Sequence, residues 1–154
     1  MRFLRMGLPV LLLLVLLAGC GAQKAQNVDA AQAADTLKSS LTFQDELSEA
    51  TPEVRNRTYG VSDADIVAGK LYLSSGATAE EIAVFEAADD AAADRLLAAM
   101  QERVEAQKLA FEDYAPAEMP KLDSAVVERS GNFVALCIAA DNAAAQKMVK
   151  ELIG

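Results

Sequence analysis

Apolar positions along the chain recur first at helical spacing, then at every second residue, then at helical spacing again. Ala30, Ala33, Ala34, Leu37 and Leu41 share one helix face behind Asp29, a residue suited to an N-cap, and predict a helix over residues 30–41. Phe43 and Leu47 follow, with Gln44-Asp45-Glu46 between them. Thr51-Pro52-Glu53 is a second helix start with Pro at the first position, and Tyr59-Gly60 is its stop. A turn carrying Asp63 and Asp65 comes next. The period then drops to two. Residues 67–73 read as a strand with Leu71 and Leu73 on one face and Tyr72 on the other. Residues 80–86 read as its partner, with Ile82 and Val84 opposite Ala83 and Phe85. Ser74-Ser75-Gly76-Ala77 is the turn between them.

The longest helix is predicted over residues 89–113, opened by Asp89-Asp90, with Ala93, Leu96, Leu97, Met100, Val104 and Phe111 as its stripe. Gln107 occupies a stripe position where an apolar residue is expected. The helix stops before Tyr114-Ala115-Pro116, and Pro120 is expected to keep the following loop extended. Residues 122–129 and 133–139 form a second hairpin around Ser130-Gly131-Asn132. The last strand is apolar on both faces and is expected to be central. Asp141 caps a final helix with Ala145, Met148, Val149 and Leu152 on its stripe. The order ααββαββα predicts an α+β fold, a four-stranded antiparallel sheet with the long helices on one face. The second face then needs a cover: the N-terminal helices, a ligand or a partner.

The first 19 residues have a different character. Arg2 and Arg5 precede an apolar run, Leu8 to Leu17, that is too short to span a bilayer and fits a signal-peptide core. Leu17-Ala18-Gly19-Cys20 then resembles the lipobox of bacterial lipoproteins. That resemblance implies a diacylglyceryl thioether on Cys20 and cleavage between Gly19 and Cys20. The expected organisation is a lipoprotein signal peptide over 1–19, a lipidated Cys and tether over 20–27, and a single α+β domain over 28–154. The tether reaches at most about 25 Å, so the domain is expected close to the outer, extracytoplasmic face of the cell membrane.

Composition narrows the chemistry. The 154 residues include 14 Lys+Arg against 23 Asp+Glu, a net charge of −9, with no His, no Trp and two Cys. Absence of His removes Ser-His-Asp and Cys-His catalysis and every His-containing metal site. The acidic balance argues against nucleic acid, which needs a basic stripe, and against a basic face on anionic lipid. With Cys20 lipidated, Cys137 has no intramolecular partner, and its apolar strand makes it a buried small hydrophobe. Dinucleotide, Walker, nucleophile-elbow and Cys-x-x-Cys motifs are absent from the sequence.

The run Ala77-Thr-Ala-Glu-Glu-Ile-Ala-Val-Phe85, with Arg103, Gln107, Phe111-Glu-Asp-Tyr-Ala-Pro116 and the Gly131-Asn132-Phe133 hairpin, resembles an uncharacterised domain family of bacterial lipoproteins found mostly in Gram-positive anaerobes. The resemblance covers roughly residues 28–154. It implies the architecture above and the anchor at Cys20, and it carries no catalytic residues.

Four residues form a candidate polar binding cluster: Glu81, Arg103, Gln107 and Tyr114, which meet if the long helix packs across the second strand. A buried Gln107 must find a hydrogen-bond partner, so the cluster serves either as a structural network or as a small polar site. Glu80 and Glu81 point to opposite faces of a strand and cannot converge; one is expected to be solvated and the other ion-paired. Asp63, Asp65, Asp89 and Asp90 lack the spacing of a calcium loop and suit caps and turns. No metal, cofactor or nucleic-acid partner is expected. The expected function is a non-enzymatic, membrane-anchored binding or interaction module with a protein partner at the cell surface. The alternatives are an extracytoplasmic enzyme working through carboxylates such as Glu80 and Glu81 with Tyr114 as auxiliary, and a solute-binding accessory of a transporter.

Overall fold

The computed structural model describes residues 28–154; Gly19, Cys20 and the tether lie outside the described residues. Local signals set most elements. Helix α1 (Ala30–Ser40) starts where Asp29 accepts the N–H of Gln32 at 3.0 Å. Strand β1 is two residues, Ser48–Glu49. Helix α2 (Pro52–Tyr59) has Thr51 as its cap and ends on Gly60, whose φ of 63° is the left-handed C-cap conformation. After a 3-10 turn at Asp63–Asp65 come β2 (Ile66–Leu73) and β3 (Glu81–Ala87). Helix α3 (Asp90–Tyr114) is capped by Asp89. A 3-10 turn at Pro116–Glu118 leads into α4 (Met119–Asp123), then β4 (Val126–Ser130), β5 (Phe133–Ile138) and α5 (Asn142–Ile153), capped by Asp141.

The strands form one antiparallel sheet in the order β1-β2-β3-β5-β4. It has five strands, not four, because Ser48 and Glu49 pair with Leu73 and Tyr72 at the edge of β2. A two-residue strand carries no periodicity for the sequence to show. The segment expected as strand 122–129 also differs: its first residues belong to α4, and β4 begins only at Val126. Pro116 and Pro120 occupy first-turn positions of the 3-10 turn and of α4, where the missing N–H costs nothing, so they start helical turns instead of holding the chain extended.

The long helices do not share one face. α3 packs with α2 and α4 on the face bearing Leu71, Ala83, Phe85, Val134 and Leu136. α1 and α5 pack on the face bearing Tyr72, Ile82, Val84, Ala135 and Cys137. The result is a three-layer α/β/α arrangement with β3 and β5 at its centre. β5 is apolar on both sides because helices cover both. Its second cover is α1 and α5. Arg129 on β4 reaches Asp90 and Asp94 and so ties the far edge of the sheet to the first turns of α3.

Cys137 lies fully buried in the α1–α5 layer. Burial pushes its thiol up to about 12, and the thiolate is the nucleophile. Native protein is therefore expected to resist alkylation by iodoacetamide at Cys137 and to react on unfolding in urea; rapid native labelling, followed by peptide mass spectrometry, would contradict this packing.

Candidate functional site: two buried carboxylates at the start of one strand

Glu81 is the first residue of β3, and three side chains from two helices converge on it. Arg103 and Gln107 stand four residues apart on α3 and therefore project from the same face. Arg103 donates to Oε2 of Glu81 through Nε at 3.1 Å and Nη2 at 2.8 Å. Gln107 donates through Nε2 at 2.7 Å. The third donor is Tyr59, at the end of α2, whose hydroxyl meets Oε1 at 2.5 Å. Glu81 is only 1% exposed. Burial, followed by the charge and hydrogen bond of Glu81, pushes the Tyr59 phenol well above its ordinary range, so it stays protonated and donates.

Three of the four residues expected in this cluster are there, and Tyr114 is not. It is exposed at the end of α3, its ring edge-to-face with Phe111 at 5.9 Å between centroids. Seven residues beyond Gln107 places it roughly 10 Å further along the helix axis, out of reach. Tyr59 is the member that sequence reasoning missed; beside Gly60 it looked like the plain end of a short helix.

Glu80 is not solvated, as one of the pair was expected to be. It points away from Glu81, as strand alternation requires, into a second buried cluster. The N–H of Gln44 meets its oxygens at 3.0 and 2.9 Å, and that of Asp45 meets Oε2 at 3.0 Å. Thr78 donates at 3.3 Å, and the Lys121 ammonium at 3.1 Å. Lys121 also bonds Glu118, which in turn accepts the N–H of Ala79 at 2.9 Å. Burial pushes the Glu80 carboxyl up, but the Gln44 and Asp45 N–H groups and Lys121 outweigh it and hold the group below the ordinary glutamate range. The cluster joins the loop after α1, the start of β3 and α4. Its only signal in the sequence is Glu118 three residues before Lys121, a spacing that usually marks a solvated helix face.

Residues 39–139 match a domain of unknown function, DUF4358. The chain belongs to this family. No curated protein and no solved structure matches it. An uncharacterised domain family was expected, and one of unknown function is found over residues 39–139; both carboxylate clusters of this DUF4358 domain fall within the matched residues.

Among the described residues of the DUF4358 domain, no buried side-chain nitrogen or oxygen lacks a hydrogen-bond partner, and no group of three His, Cys, Asp or Glu is placed to hold a metal. The aspartates have local work. Asp63 pairs with Arg55 and Asp65 with Arg95, while Asp89 caps α3. Asp90 bonds Arg129. No described helix is long and apolar enough to cross a membrane. Beside Glu81 the β2–β3 loop, with Ser74, Gly76 and Thr78, rims a pocket of about 170 Å³ walled by Leu73, Arg103, Gln107 and Phe111.

Proposed function

We propose that this chain is a lipid-anchored extracytoplasmic lipoprotein whose DUF4358 domain is a non-enzymatic binding module. The observation that carries the reading is the saturation of both buried carboxylates. Glu81 accepts from Tyr59, Arg103 and Gln107, and Glu80 from Gln44, Asp45, Thr78 and Lys121. An acid–base residue must reach and trade a proton with substrate. Against the pull of burial, the Gln44 and Asp45 N–H groups and Lys121 hold Glu80 in its charged form, and Glu81 spends its oxygens on three donors of the fold itself. Such a network fixes geometry, which is what a binding surface needs. The sequence Leu17-Ala18-Gly19-Cys20 after an apolar run supports the anchor, and two acyl chains hold where one does so only marginally.

The test is fractionation of cells expressing the native chain and Cys20→Ser. The native chain is expected in the membrane fraction with a diacylglyceryl group on Cys20 by mass spectrometry, and the variant in the soluble fraction. A Cys20→Ser chain that sediments with membranes as fully as the native one, or a free Cys20 thiol in the native chain, would overturn the anchor.

A further inference from the structure

The pocket beside Glu81 exposes two polar atoms that the fold leaves unused. Gln107 is 4% exposed, and its Nε2 is committed to Glu81. Its Oε1 meets no donor among the described residues, yet no buried side-chain oxygen is without a partner. Oε1 must therefore reach solvent, and the pocket is the opening that Gln107 lines. Arg103 commits Nε and Nη2 to Glu81, while Nη1 has no acceptor among the described residues. Its side chain is 29% exposed and lines the same pocket.

Arg103 and Gln107, one helical turn apart on α3, both line the pocket, so its wall carries one uncommitted donor and one uncommitted acceptor. Leu73 and Phe111 supply apolar contact. Charge selects further. Arg103 and Glu81 are paired with each other, so the wall holds no unpaired charge for an ionic ligand to meet. The volume of 170 Å³ equals roughly five or six waters, less than a drug-sized pocket. It holds the end of a molecule.

We infer that this pocket binds a neutral planar amide end, such as a terminal primary carboxamide, whose carbonyl accepts from Arg103 Nη1 and whose N–H donates to Gln107 Oε1. This names a ligand class for the binding module and rests on that reading.

The test is an NMR titration of the chain from residue 20, as Cys20→Ser, with isobutyramide, isobutyrate and isobutylamine as matched probes. Isobutyramide is expected to give saturable shifts at the amides of residues 73–78 and the Gln107 side-chain NH₂. The acid and the amine should bind about tenfold more weakly, as should isobutyramide to Gln107→Met, roughly the loss of one hydrogen bond. If Gln107→Met fails to fold, Arg103→Lys keeps a cation beside Glu81, removes Nη1 and should show the same loss. Equal shifts from all three probes, or isobutyramide shifts confined to other parts of the domain, overturn the site while leaving the anchor result at Cys20 standing. Release of ammonia from isobutyramide would instead overturn the non-enzymatic reading.

Discussion

Lys121→Met will lower the free energy of unfolding in urea by about 4 kcal/mol, since removing one partner from a buried charge cluster leaves the others uncompensated. Lys121 is 11% exposed at its side chain and faces Glu80 and Glu118, at 0% and 9%. Two carboxylates then share a dry site with no cation. The backbone donors of Gln44 and Asp45 remain on Glu80, and the N–H of Ala79 remains on Glu118, which keeps the loss below that of two isolated charges. Glu118→Gln in the Lys121→Met background should recover part of the loss, because it removes one of the two uncompensated charges. The pH dependence has a definite sign. Glu80 titrates below its ordinary value when folded, so its contribution is present above the ordinary glutamate range and fades as pH falls through the folded value. The gap between wild type and Lys121→Met should narrow over the same acid range. A loss below about 1 kcal/mol, the size of a surface pair, would mean that Lys121 does not hold this cluster.

The second large effect lies in β2. Gly69 has a φ of 133°, and a Cβ there would sit 2.1 Å from the Val84 carbonyl oxygen and 2.8 Å from the Phe85 Cα. Both obstacles are backbone of the paired strand, in the register Gly69↔Phe85, next to the shift between Ile66 and Ala68. The Phe85 ring also closes over the site, its Cδ1 at 2.9 Å, and is itself held edge-to-face by Tyr59. Gly69→Ala combines backbone strain with overpacking and is expected to destabilise by about 4 kcal/mol. Gly131→Ala is the control: its φ of 56° is also left-handed, but open space surrounds it, so about 1 kcal/mol of conformational strain should be the whole effect. Urea titrations of the two variants side by side decide the point. Equal losses would show that the β2–β3 pair yields to admit a side chain.

What the sequence displayed was local. Asp29, Thr51, Asp89 and Asp141 each mark a helix start that the structure keeps, because a cap is decided within one turn. Alternation placed Ile82 and Val84 opposite Ala83 and Phe85, and they enter different layers. Gln107, a polar residue on an apolar stripe, announced a buried partner and has one. What stayed hidden was decided by residues far apart in the chain. Nothing near Glu80 foretells that Lys121, 41 residues on, will supply its cation, and nothing near Tyr59 foretells Glu81. The helix α4 was hidden for another reason: proline both breaks and begins helices, and only the neighbouring packing tells which. The distribution of helices over two faces depended on the strand order, in which β5 sits between β3 and β4.

That two-sided burial bears on what counts as the folding unit. The matched family segment runs over residues 39–139, whereas α1 and α5 lie almost wholly outside it. A fragment trimmed to the matched residues would bare Ile82, Val84, Ala135 and Cys137 along one side of its sheet. Such a fragment would be sticky and prone to self-association. The flanking sequences are the missing wall of the house, and the first of them, α1, begins only ten residues after Cys20.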